Sequence, residues 1–170
     1  LRFSSSTSTY SGFPTGDADN DNARVIRNTA PIVAAFRQGA DGAGAGSGAA
    51  FCNGLQATHT AADAVDGVIL GTGNDDVIVG SEHGDVIRGR GGDDTICSLG
   101  GNDIVYGNAG RDTIFGGDGR DVLRGGGGRD TLSGEGGNDK LVGNRGNDTG
   151  NGGPGTDTCV SIEHATACES

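Results

Sequence analysis

One acidic residue recurs every nine residues through the second half of the chain. The series has ten members and its spacing never changes. Its members are Asp76, Asp85, Asp94, Asp103, Asp112, Asp121, Asp130, Asp139, Asp148 and Asp157. Carboxylates at a fixed interval can bind cations when a fold brings successive copies together. The formal net charge of −11 also favours cation binding and makes nucleic acid an unsuitable partner.

The residues around each Asp repeat with it and predict a loop followed by a short strand. Gly stands five residues before every Asp except at Ser98. The residue directly after Asp is β-branched in every copy except Lys140, which suits a pleated strand. An aliphatic residue comes next in eight of the ten copies. Such a strand buries little by itself, so the copies must stack to build a continuous core.

Ten copies of G-G-x-G-x-D-x-U-x resemble the RTX, or hemolysin-type, calcium-binding nonapeptide repeats. The resemblance covers residues 71–160 and is clearest in the two copies at 116–133. It implies an all-β fold, a parallel β-roll (a β-solenoid) of about five coils. In that family two nonapeptides form one coil, the strands alternate between two parallel sheets, and Ca²⁺ lies between the loops of successive coils.

The resemblance also implies the ligands. They would be the ten Asp carboxylates together with loop carbonyls. Those carbonyls include Gly89, Gly91, Gly107, Gly116, Asp118, Gly125, Gly127, Gly134 and Gly136. Hard oxygen ligands on flexible loops suit Ca²⁺ better than Mg²⁺, and two stacks of five loops would hold roughly eight ions. The sites at both ends and beside Asp85, whose loop departs from the pattern, are expected to be the weakest.

The flanking segments predict four further parts of the chain. Residues 1–38 form an N-terminal extension, and residues 39–50 a flexible Gly/Ala linker. Residues 51–70 and 161–170 resemble the lead-in and closing segments of bacterial secreted calcium-binding repeat proteins. We expect them to cap the two ends of the roll.

Four cysteines, an even number, favour disulfides and an oxidising compartment. Because coils are spaced about 4.8 Å apart, Cys97 and Cys159 would lie too far apart for a disulfide. This removes one of the three possible connectivities. Of the remaining two, we favour Cys52 with Cys97 and Cys159 with Cys168, one disulfide at each end.

The outward strand positions predict one polar and one apolar face. Odd repeats present mostly Thr, whereas even repeats begin with Val86, Ile104 and Val122, with Tyr106 alongside. An exposed apolar stripe is typical of an association surface. The spaced apolar residues of the first thirteen positions could pair with a neighbouring subunit. Those residues are Leu1, Phe3, Tyr10 and Phe13.

The sequence therefore predicts a secreted or cell-surface structural protein that binds calcium and self-assembles into a filament or matrix. It contains no H-E-x-x-H or G-x-S-x-G motif, so we do not expect an enzyme. It also has no apolar run long enough to span a membrane. One alternative is the C-terminal calcium module of a larger secreted toxin or hydrolase. A lesser alternative is an adhesive or ice-binding roll.

Overall fold

The computed structural model describes residues 49–169, which form an all-β structure. The strands are β1 (Phe51–Cys52), β2 (Leu55–Gln56), β3 (His59–Thr60), β4 (Val68–Leu70), β5 (Val77–Ser81), β6 (Val86–Gly91), β7 (Thr95–Leu99), β8 (Ile104–Ala109), β9 (Thr113–Gly119), β10 (Val122–Gly128), β11 (Thr131–Gly137), β12 (Lys140–Gly146), β13 (Thr149–Asn151), β14 (Thr158–Val160) and β15 (His164–Thr166). The helical element in this range is a 3₁₀ turn at Ala61–Asp63. No helix among residues 49–169 is long and apolar enough to cross a lipid bilayer.

Alternate strands build two parallel sheets. One sheet has the order β14-β12-β10-β8-β6-β4, and the other β15-β13-β11-β9-β7-β5-β3. Each repeat pairs with the repeat eighteen residues away, so Thr95 lies beside Thr113 and Val86 beside Ile104. The predicted parallel β-roll is thus confirmed. Its turns number about six rather than five, because β3, β4 and β15 extend the sheets beyond the ten repeats.

The core is a narrow double column of aliphatic side chains between the sheets. The first eight repeats each contribute the residue two positions after their Asp, as the sequence predicted, and β4 adds Ile69. The column comprises Ile69, Ile78, Ile87, Ile96, Val105, Ile114, Leu123, Leu132 and Leu141. With only two core side chains in each turn, apolar burial at about 1.5–3 kcal/mol per side chain gives this roll a small driving force for its length.

The β1–β2 hairpin lies against the outer face of the seven-stranded sheet at its first coils. There Cys52 packs with Val79, Cys97 and Phe115 in a second apolar cluster. Cys52 is bonded to Cys97 and Cys159 to Cys168, each pair with a Cα–Cα distance of 5.7 Å. These are the two disulfides that the sequence favoured.

Removal of either disulfide should destabilise the roll, and loss of the Cys52–Cys97 bond should destabilise it more than loss of the Cys159–Cys168 bond. The Cys52–Cys97 bond closes a separation of 45 residues and the Cys159–Cys168 bond one of 9. Chain entropy alone then predicts a loss of about 4 kcal/mol for the first and about 2.6 kcal/mol for the second. Urea unfolding of the paired Cys→Ala variants in saturating calcium would measure both. Equal losses would contradict the ordering.

Candidate metal centre

The aspartates form two ladders, one along each edge of the roll. The Oδ1 atom of each Asp from Asp94 to Asp157 accepts a hydrogen bond from the backbone N–H of the Asp eighteen residues earlier. These N–H···O distances lie between 2.7 and 3.0 Å. Successive carboxylates are therefore fixed one above another, coil after coil. This bond uses only one of the two oxygens of each carboxylate.

The second carboxylate oxygen is the unusual feature of this structure. In eight aspartates Oδ2 is fully buried and has no hydrogen-bond donor. They are Asp94, Asp103, Asp112, Asp121, Asp130, Asp139, Asp148 and Asp157. A buried polar atom without a partner costs about 1–3 kcal/mol, and a charged one costs more. A row of eight such oxygens calls for a ligand that supplies positive charge.

A glycine at the start of the repeat, present in every copy except that of Asp103, makes room beside this oxygen. A Cβ atom at Gly107 would lie only 2.2 Å from Asp112 Oδ2 and 2.8 Å from the carbonyl oxygen of Gly125. The space left by the missing side chain is thus bordered by a carboxylate of one coil and a carbonyl of the next. Gly89, Gly116 and Gly134 have the same surroundings. An environment of oxygen atoms alone fits a hard cation such as Ca²⁺.

Burial raises the pKa of five of these carboxyl groups toward neutral pH. It raises the pKa of Asp112 to about 7, and the neighbouring charges of Asp130 and Asp94 add to the rise. Burial is also the main cause that raises the pKa of four others to about 6. They are Asp94, Asp103, Asp121 and Asp139. Without a cation, the folded roll accommodates these groups only at a cost in free energy or by protonating them.

The first two loops satisfy their aspartates internally. The backbone N–H and hydroxyl of Thr72 donate to Asp76 Oδ2 at 2.6 and 2.9 Å, and Ser81 does the same for Asp85 at 2.7 and 2.9 Å. In each later repeat the residue at this position has a positive φ, from 69° at Glu135 to 124° at Gly126. The left-handed conformation, which β-branched residues such as Thr disfavour, therefore accompanies every unpartnered carboxylate oxygen.

Ser98 changes one of the eight positions. It replaces the glycine at the start of its repeat and is fully buried. Its hydroxyl donates to the carbonyl oxygens of Gly116 and Phe115 at 2.8 and 3.2 Å. The Gly116 carbonyl is the counterpart of the one that borders the open space in other repeats. The space beside Asp103 is therefore filled by the Ser98 hydroxyl, whereas the equivalent space in the other repeats is open.

The structure divides the predicted carbonyl ligands into two groups. Those at the start of a repeat, such as Gly107 and Gly125, lie near the unpartnered carboxylate oxygens. Those two residues further on, Asp118 and Gly127, already accept backbone N–H bonds from Gly101 and Gly110. Across residues 49–169, no three His, Cys, Asp or Glu side chains converge on one point. A bound cation would therefore depend on carbonyl oxygens as well as carboxylates.

Sequence reasoning missed the residues that end the ladders. Glu163 Oε2 accepts the N–H of Asp148 at 2.7 Å, and Glu169 Oε2 accepts the N–H of Asp157. The two glutamates thus take the place of an Asp in the next coil. Their sequence signal is a change of period, because Asp157, Glu163 and Glu169 follow one another at intervals of six residues instead of nine.

The predicted assembly residues within the described range lie together on the outer face of the six-stranded sheet. Ile104 is 39% exposed, with Val86 and Val122 half-buried on either side. The ring of Tyr106 lies between the guanidinium groups of Arg88 and Arg124, at 5.4 and 5.9 Å from its centroid. This face is therefore apolar along one column and cationic along the next. The N-terminal assembly residues Leu1, Phe3, Tyr10 and Phe13 lie outside the described residues.

Comparison with known proteins gives one match. The family model described as RTX calcium-binding nonapeptide repeat (4 copies) matches residues 70–105, 98–132 and 124–159. Together these ranges cover more than half of the chain and all of the aspartates in the two ladders. Neither the curated proteins nor the solved structures gave a match.

Proposed function

Because the chain belongs to the RTX calcium-binding nonapeptide repeat family, we propose that it binds Ca²⁺ in the gaps between successive loops of its roll. The carboxylate oxygen Oδ2 of an Asp and the first carbonyl of the next coil would hold each ion. When bound, calcium supplies the positively charged partner that each buried Oδ2 atom otherwise lacks. In the folded roll, backbone N–H groups hold Oδ1 of these carboxylates and so orient Oδ2 toward the gap.

The observation that supports this proposal is the row of buried, unpartnered Oδ2 atoms. Because Oδ1 is already held by a backbone N–H, each carboxylate keeps its orientation while Oδ2 stays available. Six of these atoms lie between two nonapeptide loops, those of Asp94, Asp103, Asp112, Asp121, Asp130 and Asp139. The gap at Asp103 differs because the Ser98 hydroxyl occupies it. The first two loops would not bind, since Thr72 and Ser81 satisfy their aspartates.

Gly107→Ala should remove one calcium ion and destabilise the loaded protein by a few kcal/mol, in the upper range for a single substitution. The new Cβ would fill the space beside Asp112 Oδ2, although the backbone at Gly107 has no positive φ that would itself exclude alanine. Isothermal titration with CaCl₂ would give the stoichiometry, and thermal unfolding in calcium the stability.

Gly73→Ala is the matched control, because a Cβ there meets no atom within 4 Å and its φ is not positive. It should bind as many ions as the unmodified protein and melt at nearly the same temperature. If both variants bind the full complement of calcium, the spaces beside the carboxylates are not the binding sites.

We further propose that the protein has a structural role outside the cell and that copies of the roll assemble through the outer face of the six-stranded sheet. The two disulfides support an oxidising environment. The column of Val86, Ile104 and Val122 supports association, since exposed apolar residues in a row are costly to leave in water. Arg88 and Arg124 would orient the partner through its acidic groups.

Deletion of residues 1–13 should abolish oligomers while leaving the calcium-dependent β-sheet signal unchanged. Those residues carry Leu1, Phe3, Tyr10 and Phe13, which we expect to pair with a neighbouring roll. Light scattering in calcium would give the oligomeric state of both proteins. A full-length protein that stays monomeric at high concentration would contradict the assembly role and favour a calcium module of a larger protein.

A further inference from the structure

We infer that the C-terminal segment forms two additional calcium sites, one at the end of each ladder, in which Glu163 and Glu169 take the place of the aspartate of a further nonapeptide. This inference rests on the proposed calcium binding. It assigns a ligand role to residues outside the ten nonapeptides, where the repeat pattern predicts no site.

The backbone after the last nonapeptide continues the roll with shorter loops. Strand β15 pairs in parallel with β13, with His164 beside Thr149, and Glu169 forms a parallel bridge to Thr158. The N–H of His164 donates to the Asp148 carbonyl at 3.1 Å, and that of Glu169 to the Asp157 carbonyl at 2.7 Å. Each carboxylate follows the previous one by six residues instead of nine. Glu163 keeps the strand register of an Asp, whereas Glu169 lies beside Thr158, one residue past that register, and its longer side chain reaches back to the N–H of Asp157.

Both shortened loops reproduce the carbonyl of a full repeat. A Cβ at Gly143 would lie 2.2 Å from the carbonyl oxygen of Ser161, and one at Gly152 would lie 2.1 Å from that of Ala167. Ser161 and Ala167 both adopt a left-handed conformation, with φ of 51° and 49°. This unfavourable conformation occurs at the same place in both loops, and it directs a carbonyl to the position that glycine carbonyls occupy in the other coils.

Both positions also contain an unpartnered buried carboxylate oxygen. Asp148 and Asp157 are fully buried, and their Oδ2 atoms lack a donor although no further nonapeptide follows them. A Cβ at Gly143 would lie 2.4 Å from Asp148 Oδ2, and one at Gly152 would lie 2.5 Å from Asp157 Oδ2. Carboxylate and carbonyl oxygens thus meet here as they do between full repeats. Each glutamate, whose Oε2 accepts the N–H of Asp148 or Asp157, has a second carboxylate oxygen, Oε1, which would complete the site as an additional ligand.

The Cys159–Cys168 disulfide secures this arrangement. Cys168 directly precedes Glu169, and Cys159 lies in β14 beside the core. The bond therefore fixes the last loop against the end of the six-stranded sheet. A terminal segment without such a bond would fray and release its carboxylate from the site.

The test is a calcium titration of the full-length Glu163→Gln, Glu169→Gln and double variants. Gln keeps an oxygen that can accept the N–H of Asp148 or Asp157, so the fold at saturating CaCl₂ should be unchanged by circular dichroism. Each single variant should lose one ion, or bind one ion at least tenfold more weakly, and the double variant should lose two. Asp66→Asn is the control for loss of charge, because Asp66 is exposed at the opposite end of the roll.

A comparison of single and combined variants tests whether Asp148 and Glu163 bind the same ion or affect binding only through their charge. Asp148→Asn should lose the same ion as Glu163→Gln, so the combined variant should lose one ion and not two, because two ligands of one site are not additive. Unchanged stoichiometry and affinity in Glu163→Gln and Glu169→Gln would overturn the inference and leave the glutamates as N–H acceptors only. An unmodified protein that binds no calcium would overturn the proposed function itself.

Discussion

Chelation of calcium at neutral pH should unfold the repeat region and remove most of its β-sheet signal. The roll has a narrow core of nine aliphatic side chains and eight buried carboxylate oxygens without a donor. At pH 7 the carboxylates whose pKa is about 6, those of Asp94, Asp103, Asp121 and Asp139, would be mostly ionised in a structure that stacks them in two rows. Burying these charges without a partner destabilises the metal-free folded state, whereas the unfolded chain leaves them in water.

The size of the effect follows from the number of ions. A ligand present at a hundred times its dissociation constant stabilises the folded state by about 2.7 kcal/mol per site. The five open inter-repeat sites would then contribute about 13.5 kcal/mol, which is as large as the total stability of an ordinary domain, about 5–15 kcal/mol. Removal of calcium should therefore unfold the roll and not merely loosen it.

Circular dichroism in excess EDTA, followed by return of CaCl₂, would measure this transition. Calcium should restore the signal, whereas an equal concentration of MgCl₂ should not, because Mg²⁺ requires strict octahedral geometry and loses its water reluctantly. Spectra that are identical with and without chelator would show that the roll does not depend on the metal for folding.

The fold could be predicted from the sequence because its information is periodic. One aliphatic residue in phase with each Asp, as at Ile96 and Ile114, determines which side chains face the core. The eighteen-residue register then follows from two repeats per coil. The outward Thr positions of the seven-stranded sheet and the Val86–Ile104–Val122 column of the other were predictable for the same reason.

The details of the metal centre depend on features that periodicity does not encode. Thr72 and Ser81 look like minor substitutions at a variable position, yet their N–H and hydroxyl groups satisfy Asp76 and Asp85. Whether a loop leaves Oδ2 free depends on the φ angle at that position, which the residue type alone does not set. Arg90 and Leu99, for example, adopt positive φ without being glycine.

The ends of the roll were the least predictable part. The sequence predicts weak terminal sites, because it counts gaps between nonapeptides and finds none after the tenth. In the structure Asp157 is fully buried and its N–H is accepted by Glu169, a residue outside the nonapeptides. The shortened loops could be recognised only after the strand pairing of His164 with Thr149 had shown that the coil continues.

Acid should have opposite effects on the metal-free and calcium-loaded protein. Burial raises the folded-state pKa of Asp112 from 3.8 to about 7, and that of Asp94 and Asp121 to about 6. A group with a raised folded pKa binds its proton more tightly in the folded state. Its stabilising contribution is complete below pH 3.8 and is lost as the pH rises through about 6 to 7. The metal-free roll should therefore gain stability as the pH is lowered from 7.5 to 4.

The calcium-loaded roll should show the reverse dependence, because protons and Ca²⁺ compete for the same carboxylate oxygens. Its apparent calcium affinity should fall steeply as the pH falls through the window from 7 to 6, where several carboxylates take up protons together. The folded fraction measured by circular dichroism at pH 4, 6 and 7.5, in EDTA and in CaCl₂, would give two curves of opposite slope that converge at low pH. Asp112→Asn, which removes the carboxyl group with the highest of these pKa values, should flatten the metal-free curve, whereas the exposed control Asp66→Asn should leave it unchanged. Parallel curves in EDTA and CaCl₂ would show that the buried carboxylates are not where calcium and protons compete.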